Sequence, residues 1–134
     1  MFRSTPLFLI LLIIYNALML MGDLTSLLGQ TLFSVGLMSG AVWTFNVHDA
    51  FVIGGVLILY FEIIKATRTG MSSLLDHTLS MLVFVAFLVE FLVVKGAGTS
   101  TFFALTLMSL LDVIAGFTVS IVAARRDVAF PSDS

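Results

Sequence analysis

Residues 101–123 read TFFALTLMSLLDVIAGFTVSIVA, an apolar run with no proline and no basic residue, broken by one carboxylate, Asp112. As a helix with 1.5 Å rise per residue, a run of about 23 residues covers about 35 Å, enough to cross a hydrocarbon core of roughly 30 Å. Two earlier stretches, 49–67 and 74–94, have the same character. A fourth, 6–28, reaches spanning length only if its helix continues through Gly22 and Asp23. The expected fold class is therefore all-α: a single transmembrane domain over residues 1–134, built as a bundle of about four transmembrane helices.

Composition points the same way. Of 134 residues, 60% are hydrophobic and only 10% charged, and the mean hydropathy is +1.18. Soluble domains carry about a quarter charged residues, so this chain could not cover its apolar surface in water. Its expected surroundings are the lipid bilayer. A net charge of −2, with no basic stripe, excludes nucleic acid as a partner. With no cysteine, disulfides and thiolate chemistry are absent. The start, Met1-Phe2-Arg3 followed by an apolar run to Met21, resembles a signal peptide, but Leu20-Met21-Gly22-Asp23 is a poor cleavage site. The segment reads as a retained first helix.

Residues 29–48, overlapping the apolar stretch Leu27–Phe45, are rich in Gly, Ser and Thr. They read as an interfacial or re-entrant segment, or as a fifth span. Charge arbitrates for four spans. With a cytoplasmic N-terminus, Arg3, Lys65, Arg68, Arg125 and Arg126 lie inside and only Lys95 outside, as short loops prefer. Both termini are then cytoplasmic, which suits a bacterial inner membrane. Trp43 and Phe45 fit an aromatic anchor at the outer interface. Asn46 with Asp49, and Ser73 with Asp76, resemble helix-capping pairs. Gly96-Ala97-Gly98 closes the third span, Thr99–Thr101 opens the fourth, and 127–134 forms a polar tail containing Pro131.

Ionisable residues in such spans are costly. Asp112 lies near mid-span, and Ser109, Gly116 and Ser120 share its helical face at −3, +4 and +8, a small-residue surface that admits another helix. Asp112 thus points into the protein, as an interhelical hydrogen-bonding group or as a proton or cation site. Glu90 ends a stripe through Asp76, Ser80, Val83 and Phe87, and its i,i+5 spacing from Lys95 is a poor pairing geometry. Glu62 and Lys65 form an i,i+3 pair, with Gly55 on the face of Glu62. Asn16, at the depth of Asp112 on the first span, is the expected partner of that acid. His48 and His77 belong to opposite ends and make no metal site, although His77 beside Asp76 could relay a proton. Gly36 and Gly40 form a GxxxG, with Gly29 seven residues before, expected as a helix-packing face. Ser39 lies in no nucleophile elbow.

No cofactor, metal or catalytic motif emerges. The expected function is a small oligomeric or accessory membrane subunit, partnered by copies of itself or by other membrane subunits. The alternative is a proton- or cation-linked channel or transporter, formed by an oligomer, with Asp112, Glu90, Glu62, Asp76 and His77 as stations. Catalysis by paired intramembrane acids ranks third, because Asp112 and Glu90 differ in depth by roughly 8 Å.

Overall fold

Helix α1, Phe8–Met21, is an uninterrupted apolar segment that stops where the backbone turns at Gly22, with φ +155° and ψ −147°. That conformation is open to glycine and strained for a residue with Cβ. The first span therefore does not run through residue 28 as expected. Asp23 is extended, and α2 is only a short helix, Leu24–Leu28. The computed structural model describes residues 6–66 and 71–129, apart from the side chains of residues 71–74, 120, 123, 124 and 126–129. Arg3, Arg68 and the tail beyond residue 129 lie outside the described residues, as do the side chains of Ser73, Ser120 and Arg126.

The segment 29–48 is neither a fifth span nor a re-entrant helix. It is an antiparallel hairpin of β1, Thr31–Gly36, and β2, Val42–Asn46. Paired residues Phe33 with Phe45 and Val35 with Trp43 alternate with Ser34 opposite Thr44 and Gly36 opposite Val42. This period of two, rich in aromatic and β-branched residues, favours strand over helix. The register slips between Thr31 and Phe33. Between the strands Leu37 N–H donates to Ala41 O at 2.8 Å, and Gly40 takes φ +93° in the turn. The GxxxG expectation is corrected accordingly. Gly36 ends a strand, Gly40 sits in a turn and Gly29 closes α2, so they share no helical face.

Val47 N–H donates to Gln30 O at 3.1 Å, closing the hairpin base where α3, Val47–Ala66, begins. The Asn46–Asp49 pair caps α3 reciprocally: Asp49 N–H reaches Asn46 Oδ1 at 2.9 Å, and Asn46 N–H reaches Asp49 Oδ2 at 3.2 Å. Helix α4 spans Met71–Val93. Ser73 lies within it and is not its N-cap. After a 3-10 turn, Lys95–Ala97, Thr99 Oγ1 accepts Phe102 N–H at 3.1 Å and opens α5, Ser100–Ala129. Helix α5 continues into the stretch expected to be a polar tail.

The chain is mostly helical, and three helices contain segments long and apolar enough to cross a membrane: Val47–Ala66, Leu75–Val93 and Ser100–Val119. Helix α1, with 14 residues, is about 21 Å long. Large apolar side chains such as Ile53, Leu57, Leu82, Val89, Leu107 and Ile114 face outward. Helix α5 is the central element, packed along both α3 and α4. It runs parallel to α3, with His48 beside Thr101 and Gly55 beside Met108. It runs antiparallel to α4, with Phe91 beside Phe103 and His77 beside Gly116. Helix α1 lies against α3 and α4. Toward the end of the bundle where α3 and α5 begin, the Tyr15 ring lies 5.5 Å from Phe51 and 4.8 Å from Phe102, and Phe87 lies 5.3 Å from Phe102. Leu11, Leu12, Val83 and Leu105 complete this packed layer.

Candidate functional site: a buried acid cluster

Glu62, Asp76 and Asp112 come from α3, α4 and α5, and are only 1%, 4% and 5% exposed. Glu62 stands one turn before the end of α3. Its Oε1 accepts Lys65 Nζ at 3.1 Å and the backbone N–H of Leu7 at 3.2 Å. Leu7 immediately precedes α1, so Glu62 also faces the unsatisfied donors and positive dipole end of that helix. Lys65 bridges onward to Asp76 Oδ1 at 3.4 Å, an ion pair without hydrogen-bond alignment. The Asp112 carboxyl lies beside this group, with Glu62, Asp76 and Lys65 all near it.

The charges do not balance among the described side chains. Three carboxyls converge on one ammonium and one helix N-terminus. Glu62 Oε2 is buried and receives no donor. The cluster thus gathers more buried carboxylate than its described cations offset.

Around it, Ser109 and Gly116 are buried on the face of α5 that carries Asp112. Ser120, the last residue of that expected face, lies outside the described side chains. A Cβ at Gly116 would stand 2.9 Å from His77 Nδ1, so glycine is what lets the buried His77 ring lie against α5. The same ring is 5.9 Å from that of Phe117.

Asn16 does not reach Asp112. Its Nδ2 donates to Leu12 O within α1 at 2.8 Å. Helix α1 begins at the level of Glu62, so residue 16 lies about 13 Å farther along the axis. Matching depths from the middle of an assumed long first span misplaced it.

Glu90 belongs to the other end of the bundle, 14 positions from Asp76 on α4, or about 21 Å along the axis. One of its oxygens is buried without a donor, near Tyr15. Among the described residues it makes no ion pair with Lys95. The Tyr15 hydroxyl is bonded to Thr99 Oγ1 at 2.6 Å and donates to Gly96 O at 3.2 Å. Beside this group a groove of about 490 Å³ is lined by Met19, Asp23, Thr25, Lys95, Gly96 and Thr99. His48 and Thr101 are hydrogen-bonded at the same end. That is about 22 Å along α5 from the Gly116 contact of His77. Among the described residues no three of His, Cys, Asp and Glu are arranged to hold a metal ion.

The sequence reading missed the Leu7–Glu62 and Tyr15–Thr99 bonds. Thr99 was visible as a helix-opening residue, but nothing local reveals which tyrosine reaches it. No protein-family model matches the chain, and comparisons with curated proteins and with solved structures return no match.

Proposed function

We propose that this chain is a four-span membrane subunit whose buried acid cluster fastens its helices together, leaving its apolar exterior to lipid and to neighbouring subunits or copies. The carrying observation is the meeting of α1, α3, α4 and α5 around Glu62, Lys65, Asp76 and Asp112. Interhelical polar contacts and close-packed small residues hold helices together where lipid removes the usual hydrophobic drive. The buried side chains of Leu11, Leu12, Val83 and Leu105, packed between this cluster and the Glu90 end, support a packing role over a conduit through one chain. Helix α1 is short, yet it runs from Glu62 at one end to Gly96 and Thr99 at the other, which supports its counting as the first span. An even number of spans leaves both termini on one side, and the basic residues favour the cytoplasm.

A second reading, a proton-linked transporter formed by an oligomer, is favoured by one observation, the convergence of Glu62, Asp76 and Asp112 in one buried cluster. Intramembrane acids commonly mark ion pathways. The two readings separate on Asp112. Asp112→Asn keeps shape and hydrogen bonding but removes the titratable proton, whereas Asp112→Leu removes both. The subunit reading expects Asn to be tolerated, Leu to destabilise, and proteoliposomes of the parent protein to show no pH-driven flux. Flux in the parent protein, abolished in a folded Asp112→Asn, would overturn it. Native mass spectrometry of the detergent-extracted protein tests the assembly directly, and a lone monomer without copurifying chains counts against the subunit reading.

A further inference from the structure

The hairpin presents two unlike faces. Phe33, Val35, Trp43 and Phe45 lie on one, while Ser34, Thr44 and the smaller apolar Val42 lie on the other. The three rings pack together, with Phe33 stacked on Phe45 at 4.7 Å and Trp43 edge-on to both at 5.5 and 6.1 Å. Among the described residues little covers them: all of β1 is exposed, Trp43 retains 42% exposure, and only Phe45 is half-buried. At the tip Leu37 and Met38 are exposed as well. An isolated two-stranded hairpin is marginal in water, and one with a bare aromatic face needs a covering surface.

We infer that this aromatic face is a lipid-contacting surface, lying in the headgroup–acyl boundary at the end of the bundle where α3 begins. Three observations select lipid as the occupant. No Asp, Glu, Lys or Arg occurs from residue 24 to residue 48, so there is no charge to direct a polar protein partner. The hairpin base is tied by the Val47–Gln30 bond, and β2 passes into α3 without a linker, so the face is continuous with the lipid-facing side chains of that helix. Trp and Phe side chains favour this boundary, and the Ser34 and Thr44 face, with the unpaired strand edges, stays hydrated there. Deeper burial would strip water from those edges. The inference rests on the membrane reading of the helices.

Trp43 is the single tryptophan of the chain, so its fluorescence reports on the hairpin alone. The full-length protein would be reconstituted in phosphatidylcholine vesicles brominated either near the headgroup or deep in the acyl chain, and quenched separately by aqueous acrylamide. The expected result is quenching at least about twofold stronger by the shallow bromines than by the deep ones, with weak acrylamide access, as an interface location requires. Strong acrylamide quenching without bromolipid quenching places the face in water and overturns the inference. Shielding from both quenchers places it against a second copy or another chain, and also overturns it. A control variant, Trp43→Phe with Leu57→Trp, reports on the exposed face of α3. If that control is quenched by bromolipid and Trp43 is not, the hairpin inference fails while the membrane reading stands. If neither is quenched, both fail.

Discussion

Replacing Glu62 by leucine removes the one acceptor shared by α1 and Lys65. The side chain is 1% exposed and leucine is of similar size, so little cavity arises and the cost is electrostatic. Losing the Leu7 N–H bond costs about 1 kcal/mol. Leaving a buried charge without its partner costs about 3–5 kcal/mol, but Lys65 keeps Asp76 at 3.4 Å, so roughly 2 kcal/mol of that remains to be felt. The expected destabilisation is about 3 kcal/mol in total. Glu62→Gln retains a carbonyl acceptor for both donors and should cost only about 1 kcal/mol. Reversible unfolding in bicelles measures both, and hydrogen exchange localises the effect, with faster exchange expected over residues 7–12 for the leucine variant. A leucine variant within about 0.5 kcal/mol of the parent, inside the ordinary scatter of substitutions, would refute the fastening role. So would a glutamine variant as damaged as leucine.

Tyr15→Phe removes the hydroxyl bonded to Thr99 and Gly96 and should cost about 1 kcal/mol in the same unfolding assay; no loss would mean that these bonds contribute nothing net. Gly116→Ala forces Cβ toward the His77 ring and should cost about 1–3 kcal/mol by overpacking, read as a lowered melting temperature in detergent. A Cβ at Gly36 would meet nothing within 4 Å, so Gly36→Leu should leave stability and oligomeric state unchanged, which a shift in oligomer mass would contradict. Reporter fusions at the two ends should be active on the same, cytoplasmic side; opposite sides would rule out an even number of spans.

The long apolar helices were legible because length and composition alone define them. Capping at Asn46 and the Glu62–Lys65 pair were legible because their partners are three residues apart. The convergence of Glu62, Asp76 and Asp112 was not, because the relative heights of helices depend on where each one starts. Asn16 shows the error: its assigned depth assumed a first span running past Gly22. The strands of the hairpin were not legible from composition, since glycine, serine and threonine suit an interfacial segment, a re-entrant one or a further span as well as a turn. The alternation in Phe33-Ser34-Val35 and Trp43-Thr44-Phe45 was the signal available. GxxxG spacing carries meaning only on a helix, so it could not reveal that Gly36 and Gly40 lie on none.

The attachments of α1 also set an order of assembly. Its fastening points, Glu62, Gly96 and Thr99, lie 55, 81 and 84 positions after the residues they hold. At a synthesis rate of roughly 5–20 residues per second, the last of them follows Tyr15 by about 4–17 s. Helix α1 thus leaves the ribosome well before the residues that fix it in place. Until α5 arrives, Tyr15 has neither Thr99 nor the Phe102 ring to meet. A chain halted after α4 would leave the Tyr15 hydroxyl turned to whatever neighbour the bilayer offers, making the unfinished protein a substrate for quality control.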